Sequence, residues 1–514
     1  MATSLSLPPF NYFLINFFTF TLFFIFIFKK SNSQKIKKYF FFYGWLFGFG
    51  YFATNLYWIS ISLTFDQDLK FLIPLTIFLI PAFLAIFYGL VAYLFMMIKS
   101  KDITNSFLIF SLIFSIFEFV RGSILTGFPW NLIAYSFLNQ LEIISITSLI
   151  GTYGFNLFCI SLFSSPALLI LRESYKEILV FFFFLISLFS FYFYGNYYEK
   201  KFYLSNNINL DYKIRAVGSN ISLERFYGDA NPSLIIEELI KISKPNLEER
   251  TIFIWPEGIL PGISQNELIE YKELFKDKFN NNHLLAIGIN SQSTVDDTTD
   301  YFNTFSVYDN ELNLLNSYEK IKLVPFGEFL PFKNILSIIG LKTITNNYQS
   351  YSKGTMRNVI EIKKKNFSLR ILPLICYEII YSGKIFKNND FDLIINISED
   401  GWFGKSIGPK QHFAHSIFRS IESGKYIIRS ANNGITAIIN PIGKIEKSLE
   451  LNNSGYIDFD KRKKIQPTVF SQFGNKIFGF LILLYIFLIL SISFVFSLSS
   501  TTTVFKNKLR KAKK

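Results

Sequence analysis

Residues 369–378 read LRILPLICYE and combine the signal of a buried strand with a reactive side chain. The first eight residues form a short apolar run, typical of a β-strand, that ends in Cys376. Glu378 follows two residues later. A lone cysteine after a strand is most often a small buried hydrophobic residue, but a neighbouring base would make it a nucleophile. The stretch alone leaves both interpretations open.

Two histidines nearby in the sequence could act as that base, which would give Cys–His catalysis. His412 and His415 lie three residues apart on a helix predicted at 410–424. In the sequence pattern, no aspartate or second cysteine completes a set of metal ligands around them, and His283 is distant. Zinc is therefore not favoured.

Two other motifs lie upstream of the cysteine. IWPEG at 254–258 places Glu257 at the tip of a predicted strand, although Pro-Glu-Gly is by itself an ordinary turn. YEKIKLVPFGEF at 318–329 sets Lys320 before an apolar Val-Pro-Phe-Gly turn, and either of its lysines could by itself be a surface residue. Lys320 follows Glu257 by 63 residues and precedes Cys376 by 56. The three motifs in this order are far more specific than any one of them.

The segment 198–475 that contains these motifs is long enough for one large domain of about 250 residues. Short β-rich runs and helical patterns alternate along it, which predicts a mixed α/β domain of stacked sheet and helix layers. The predicted strands lie at 213–218, 251–255, 284–289, 303–308, 369–376, 392–397, 426–431 and 435–440. The predicted helices lie at 232–243, 266–279 and 410–424.

The rest of the chain is strongly apolar. The 514 residues are 50% hydrophobic and 19% aromatic, with a mean hydropathy of +0.30. This composition excludes a disordered or collagen-like chain, and the two cysteines, Cys159 and Cys376, do not form a disulfide framework. A membrane-spanning helix needs about 20 mostly apolar residues. Seven spans are predicted, at 10–28, 40–62, 71–98, 105–124, 141–170, 178–197 and 476–499.

The net charge of +14 is concentrated beside these apolar segments, with five lysines in 29–38 and six Lys or Arg residues in 506–514. It therefore indicates membrane topology rather than nucleic-acid binding. With the basic loops and the tail in the cytoplasm, the first span is an uncleaved anchor and residues 198–475 lie outside the cytoplasm. The predicted organisation is a six-span membrane region at 1–197, a catalytic domain at 198–475, a last span at 476–499 and a basic cytoplasmic tail at 500–514.

Two ionisable residues, Glu118 and Arg121, are predicted near the outer end of the fourth span. Because they are three residues apart, they share one face of the helix. They either form an interfacial pair that snorkels toward water or face the extracytoplasmic domain or a lipid headgroup.

The order Glu257, Lys320, Cys376 in these motifs resembles the nitrilase superfamily of carbon–nitrogen hydrolases. Within it, a domain attached to many membrane spans resembles the apolipoprotein N-acyltransferase family. Further matches to that family are LTGFPW at 125–130, GEFLPF at 327–332, SEDGWFGKSIGPKQH at 398–412 and RSANNGITA at 429–437. The resemblance covers nearly the whole length of the chain.

The resemblance implies an αββα sandwich with a Glu257–Lys320–Cys376 triad. In the implied reaction, Cys376 takes an acyl chain from a phospholipid as a thioester and passes it to the amine of a diacylglyceryl apolipoprotein. Glu257 handles the protons, and Lys320 with the N–H after Cys376 stabilises the oxyanion. No cofactor, metal or nucleic acid is implied, and a monomer suffices. Supporting or substrate-binding roles fall to Glu328, Tyr377, Glu378 and Trp255.

The family location is the bacterial inner membrane, with several spans and the catalytic domain on the periplasmic side. The family usually has eight spans against the seven predicted here, so the sequence is expected to begin near the family's second span. The family commonly has a tryptophan early in the soluble domain, where this chain reads LERFY at 223–227.

Two other functions compete with this assignment. A membrane-tethered amidase would use the same triad for hydrolysis, and only the number of spans argues against it. An inactive scaffold or transporter would not be expected to keep the triad, and a transporter would need more buried polar residues in its spans than Glu118 and Arg121.

Overall fold

The computed structural model describes residues 1–33, 36–228, 230–295, 298–331, 334, 350–364, 367–385 and 390–512. Three predicted features lie partly outside these residues: the basic loop 29–38, the GEFLPF motif at 327–332 and the basic tail at 500–514. The residues predicted for the catalytic site all lie within them.

The first 204 residues form mainly helices, packed around many buried phenylalanines. The helices are α1 (Ile15–Ser33), α2 (Lys37–Leu56), α3 (Ile73–Ile98), α4 (Ile103–Arg121), α5 (Leu141–Ile144), α6 (Thr147–Ser164), α7 (Pro166–Leu171) and α8 (Tyr175–Leu204). At the other end of the chain, two more helices are α12 (Val469–Phe473) and α13 (Lys476–Ala512).

Each of the seven predicted spans falls on a helix. Among the described residues, five helical stretches are long and apolar enough to cross a membrane: Gln67–Ile98, Ile103–Arg121, Thr147–Leu171, Tyr175–Leu204 and Lys476–Phe494. The other two predicted spans form α1 and α2, of 19 and 20 residues. The span predicted at 141–170 is divided into α5, α6 and α7, with Pro166 as the first residue of α7. Pro81, in contrast, lies inside an unbroken α3.

The middle of the chain forms two β-sheets. Their strands are β1 (Asn207–Gly218), β2 (Thr251–Ile254), β3 (Leu260–Ser264), β4 (His283–Val295), β5 (Thr298–Tyr308), β6 (Leu314–Glu319), β7 (Ile360–Lys364), β8 (Phe367–Ile375), β9 (Leu393–Glu399), β10 (Ile427–Asn432), β11 (Thr436–Ile439), β12 (Ile445–Leu449) and β13 (Gly455–Lys463). The first sheet has the order β13-β1-β2-β4-β5-β6, with β3 paired to β4, and the second has the order β12-β11-β10-β9-β8-β7.

The two sheets pack face to face and are covered by helices on both outer sides. Side chains such as Ile254, Ile375 and Ile395 form the core between the sheets. Three further helices complete the layers: α9 (Pro232–Ser243), α10 (Lys272–Phe275) and α11 (Gly408–Ser423). The first two cover the first sheet, and α11 lies between the second sheet and the membrane helices. The predicted αββα sandwich with a helical membrane region is thus confirmed.

Parallel pairing in the centre of each sheet decides where the site lies. β1, β2 and β4 are parallel neighbours in the first sheet, and β8, β9 and β10 are parallel neighbours in the second. A bridge between Ser219 and Asn432 joins the ends of β1 and β10. The carboxyl ends of the central strands of both sheets therefore meet at one edge of the sandwich, where α/β proteins usually hold their sites.

The eight predicted strands are all present, and five strands were not predicted: β3, which pairs with β4, and the four edge strands of the two sheets. β6, β7, β12 and β13 are polar along much of their length, because an edge strand exposes one side to solvent. The predicted helix at 232–243 is α9 with the same bounds, whereas the one at 266–279 is only α10 preceded by a 3-10 turn at Glu267–Tyr271. The helix α10 ends at Phe275, because Lys276 has a non-helical ψ of 144°.

Glu118 and Arg121 do not snorkel, so that interpretation was wrong. Their side chains are completely buried and form an ion pair with 2.5 Å between Arg121 Nη2 and Glu118 Oε2. Arg121 Nη1 donates to the carbonyl of Phe128, which lies in the LTGFPW motif. The pair thus holds the loop that follows α4, and this loop in turn contacts the candidate site.

Candidate active site

Cys376 occupies a sharp turn at the end of β8. Ile375 is the last strand residue, and a 3-10 turn over Cys376–Ile380 follows directly. The backbone φ of Cys376 is 47°, in the left-handed region that residues other than glycine seldom adopt. Such backbone strain is found preferentially at functional sites, because the surrounding structure has to maintain it.

Glu257 and Lys320 meet beside this cysteine, together with a second carboxylate. Lys320 Nζ lies 2.9 Å from Glu257 Oε1 and 2.9 Å from Glu328 Oε1. Asn303 Nδ2 donates to the same two oxygens at 2.8 Å each. We call Glu257, Lys320 and Glu328 the lysine cluster. The Lys320 side chain is only 1% exposed, so water screens the cluster little.

The position of Glu257 depends on close packing of its turn against β4. A Cβ atom at Gly288 would come within 2.3 Å of the Pro256 carbonyl oxygen and 2.5 Å of Glu257 Cα. Glycine at this position therefore allows the turn to lie on the strand. The N–H of Glu399 donates to Glu257 Oε2 at 2.9 Å, which fixes the orientation of the carboxylate.

Burial and neighbouring charges raise the pKa values of Lys320, Glu328 and the Cys376 thiol, with different consequences for each group. Burial lowers the pKa of Lys320, but Glu257 and Glu328 outweigh burial and hold that pKa well above its usual value. Burial raises the pKa of Glu328 even though Lys320 opposes the rise. Burial and the charge of Glu257 raise the pKa of the Cys376 thiol well above its usual value, against the effect of Lys320. The lysine therefore stays charged, and the thiol needs a base to become a nucleophile.

Glu378 contacts the backbone after Lys320, whereas Glu328 contacts the ammonium of Lys320 itself. Glu378 Oε1 accepts from Arg357 Nη2 at 2.8 Å and from the N–H groups of Ile321 and Lys322 at 3.1 and 3.2 Å. It therefore supports Lys320 by fixing the backbone that follows it, while Glu328 contacts the ammonium.

Tyr377, next to Cys376, and Trp255, two residues before Glu257, each form a hydrogen bond to a distant segment. The hydroxyl of Tyr377 donates to the carbonyl of Gly127, in the LTGFPW loop, at 3.0 Å. Trp255 is fully buried under α9, and its Nε1 donates to Ser243 Oγ at 2.9 Å. Trp255 points into the outer core of the first sheet, and this position favours support of the strand end over contact with substrate.

A second group of buried charged residues contacts the backbone of Cys376. His412 Nδ1 lies 2.9 Å from Asp400 Oδ1 and 3.2 Å from Arg429 Nη2, while His412 Nε2 lies 3.3 Å from the carbonyl oxygen of Cys376. We call Asp400, His412 and Arg429 the histidine cluster. All three side chains are completely buried.

This cluster corrects the statement that no aspartate accompanies the histidines. Cys376, Asp400 and His412 bring one ligand atom each within 4.8 Å of one another. However, both oxygens of Asp400 already accept from Arg429 Nη2, at 2.9 and 2.7 Å. The guanidinium supplies the positive charge that the carboxylate needs, so a metal ion would have to displace it.

Sequence reasoning missed the partners that orient the reactive groups. Asn303 stands in an ordinary strand sequence and carries no signal of its own. Asp400 is the third residue of the motif at 398–412 and Arg429 is the first of the motif at 429–437, but those motifs suggested no role. Arg225, in the LERFY stretch, forms a buried ion pair with Glu399, whose N–H orients Glu257. These contacts join segments far apart in the chain, so no local pattern could indicate them.

The sandwich, with a strand-end cysteine beside a buried glutamate and lysine, defines the class as a nitrilase-like carbon–nitrogen hydrolase, and the family model "Carbon-nitrogen hydrolase" matches residues 234–461. The model "Apolipoprotein N-acyltransferase N-terminal domain" matches residues 1–165. The chain belongs to the apolipoprotein N-acyltransferase family and is an N-acyltransferase of the membrane-bound type.

The similar proteins match over most of their length. The apolipoprotein N-acyltransferase of Rickettsia prowazekii is 35% identical over 95% of this chain and 95% of its own. That of Rhizobium leguminosarum bv. trifolii is 32% identical over 88% of this chain and 87% of its own. A nitrilase-superfamily protein of Saccharomyces cerevisiae, whose crystal structure is known, is 15% identical over 48% of this chain and 90% of its own, with a TM-score of 0.33.

Proposed function

We propose that this enzyme transfers a fatty acyl chain from a phospholipid to the N-terminal amine of the diacylglyceryl-cysteine of an apolipoprotein, through a thioester on Cys376. The observation that supports this most strongly is the strained Cys376 beside the lysine cluster, in a domain packed onto membrane helices. The relatives named for the same reaction match along nearly the whole chain.

In the first half-reaction, Glu257 takes the proton of the Cys376 thiol, and the thiolate attacks an ester carbonyl of the phospholipid. A C–S bond forms while the electron pair of the carbonyl moves onto its oxygen. Lys320 and the N–H of Tyr377 stabilise this oxyanion, and one such donor is worth about 3–4 kcal/mol in comparable enzymes. The C–O bond then breaks, and the lysophospholipid leaves with the proton that Glu257 had taken.

In the second half-reaction, the amine of the apolipoprotein attacks the thioester. A C–N bond forms, Glu257 takes a proton from the amine, and the C–S bond breaks with the proton returned to the thiolate. The lysine cluster suits both halves, because Lys320 keeps its charge while Glu257 takes and returns the proton. All of these residues come from a single chain, so a monomer is sufficient.

We place the catalytic domain, residues 198–475, on the periplasmic side of a bacterial inner membrane, between the spans at 1–197 and the last span at 476–499. The basic segments at 29–38 and 500–514 support a cytoplasmic position for their ends of the helices. Lys363, whose side chain is 71% exposed, offers a test. A cysteine introduced there should react with a membrane-impermeant maleimide in intact spheroplasts, and protection would place the domain in the cytoplasm.

The thioester is tested by intact-protein mass spectrometry. The protein in mild detergent, given phosphatidylethanolamine without acceptor, should gain the mass of one acyl chain, and hydroxylamine should remove it. Cys376→Ala should never gain it. Cys159→Ala is the matched control, since Cys159 is a buried cysteine in the membrane helix α6, and it should be acylated like the wild type.

A second assay separates transfer from hydrolysis. The acyl-enzyme is mixed with a diacylglyceryl-cysteine peptide that has a free amine, or with the same peptide acetylated at its amine. Transfer predicts an amide product from the first peptide only. Absence of the adduct, while the thiol still reacts with iodoacetamide, would disprove the thioester route, and release of free fatty acid at equal rates with both peptides would identify a hydrolase.

A further inference from the structure

The peptide unit between Cys376 and Tyr377 contains two groups with separate tasks. Its N–H belongs to Tyr377 and is the oxyanion donor of the proposed reaction, and its carbonyl belongs to Cys376. Because a peptide unit is planar, the direction of the carbonyl fixes the direction of the N–H. The φ of 47° at Cys376 is a conformation that the local sequence does not favour, so contacts elsewhere have to maintain it.

His412 contacts this carbonyl from α11. Its Nε2 lies 3.3 Å from the Cys376 oxygen, and a carbonyl only accepts, so Nε2 carries a proton and donates. The ring is completely buried and stacks on Trp130, with 5.3 Å between ring centroids and 20° between planes. The edge of Phe403 contacts it from another side. The imidazole therefore has little freedom to turn away.

The other ring nitrogen has a partner in both protonation states. When Nδ1 carries a proton, it donates to Asp400 Oδ1 at 2.9 Å, and when it does not, it accepts from Arg429 Nη2 at 3.2 Å. Burial and Arg429 lower the pKa of His412, and Asp400 opposes this. The neutral ring thus keeps its proton on Nε2, and the hydrogen bond to the cysteine carbonyl does not depend on the charge of His412.

The carboxylate that holds the ring itself accepts from several donors. Asp400 accepts from Ser398 Oγ at 2.7 Å and from Arg429, and also from His412 Nδ1 whenever that nitrogen carries a proton. Its carboxylate lies close against Gly434, where a Cβ atom would come within 2.3 Å of Asp400 Oδ2. A carboxylate with several donors and such close packing is suited to hold geometry rather than to exchange protons.

We propose that His412 is a positioning residue: anchored by Asp400 and Arg429, it holds the Cys376 carbonyl so that the N–H of Tyr377 points at the substrate oxyanion. The hydrogen bond to the carbonyl also polarises the peptide unit and makes its N–H a stronger donor. This inference rests on the proposed function, in which Cys376 forms the thioester. It assigns a task to the motifs at 398–412 and 429–437.

The test compares two variants that differ in the position of one amide. In His412→Gln, the side-chain amide reaches the place of Nε2 and still donates to the Cys376 carbonyl. In His412→Asn, the shorter side chain reaches only the place of Nδ1. Each variant is measured for single-turnover acylation by phosphatidylethanolamine and for alkylation by iodoacetamide. Alkylation is a displacement that develops no oxyanion, so it reports the thiol alone.

The expected result is a split between the two reactions. His412→Asn should slow acylation about 10- to 100-fold, less than the loss of a whole oxyanion donor, and change alkylation less than about twofold. His412→Gln should restore acylation to within about fivefold of the wild type. If His412 has a merely structural role, His412→Asn should slow acylation and alkylation together, or His412→Gln should acylate as slowly as His412→Asn. Either result would overturn the proposal.

A backbone variant keeps the test decisive if His412→Asn does not fold, as judged by thermal unfolding in detergent. Replacing Tyr377 by its α-hydroxy analogue exchanges its N–H for an ester oxygen, keeps its side chain and makes the Cys376 carbonyl a weaker acceptor. The ester should acylate about 100- to 1000-fold more slowly, with alkylation unchanged. In the ester variant, an added His412→Gln substitution should have no further effect on acylation. The proposal would be overturned if the ester variant acylated at the normal rate, or if adding His412→Gln slowed it further. If the wild type itself forms no adduct, the proposed function has failed instead.

Discussion

The lysine cluster and the histidine cluster both lie beside Cys376 and both are buried, yet their charges balance differently. The lysine cluster has two carboxylates for one ammonium, while the histidine cluster has one carboxylate for one guanidinium and an uncharged ring. Burial beside a second carboxylate raises the pKa of Glu328 in the unbalanced cluster. In the histidine cluster the carboxylate is balanced by the guanidinium. Burial alone therefore does not distinguish a cluster proposed to react from one proposed to hold geometry.

The largest loss of acylation rate is expected when Lys320 of the lysine cluster is replaced. Lys320→Met removes the oxyanion donor and leaves two buried carboxylates without a counter-charge, so acylation should fall about 1000-fold or more. Single-turnover mass spectrometry with phosphatidylethanolamine measures it. Lys322→Met, in the same motif, is the control and should stay within about threefold of the wild type. Equal losses in both variants would remove Lys320 from its proposed role.

Glu257→Gln should change two reactions in opposite directions. Without its base, acylation should fall about 100- to 1000-fold. The charge of Glu257 raises the pKa of Cys376, so removing it lowers that pKa and makes more thiolate at a given pH. Alkylation by iodoacetamide at pH 8 should therefore become faster. In the wild type, alkylation should still rise about tenfold per pH unit up to pH 9; a plateau below pH 8 would contradict the raised thiol pKa.

Glu328→Gln should have an intermediate effect, because Lys320 keeps Glu257 as a partner. Loss of one of the two carboxylates lowers the pKa of Lys320 and leaves its ammonium less firmly positioned. Acylation should therefore slow about 10- to 100-fold. Glu319→Gln, next to Lys320 in the chain, is the matched control, and should be close to the wild type in the same assay. An acylation rate for Glu328→Gln equal to that of the control would show that one carboxylate is enough.

The smallest effect is expected at the contact between the site and the membrane region. Tyr377→Phe removes a hydrogen bond to the Gly127 carbonyl, which continues to accept from the Tyr381 hydroxyl at 3.1 Å. The free energy of unfolding should fall by about 1 kcal/mol. Thermal unfolding in detergent measures this, with Tyr381→Phe as the comparison. A loss of several kcal/mol would show that the LTGFPW loop depends on Tyr377 alone.

The sequence predicted the parts of the fold that have a local apolar signal. The eight predicted strands are short apolar runs, the helix at 232–243 has buried apolar residues at helical spacing, and the predicted spans are long apolar stretches. The edge strands lack that signal, because one side of each is exposed and polar. The roles of the site residues in the reaction stay predictions, although the structure brings Glu257, Lys320 and Glu328 together.

What the sequence by itself determined is the class of fold, the family and the candidates for the reactive side chains, because strand periodicity and short motifs are local properties. What only the tertiary structure decided is how those side chains are held. Glu378 contacts the backbone after Lys320 instead of its ammonium, and Asp400 joins His412 and Arg429 behind the cysteine. The physical reason is that buried charges need partners from every direction, and parallel strands from two sheets supply them from distant parts of the chain.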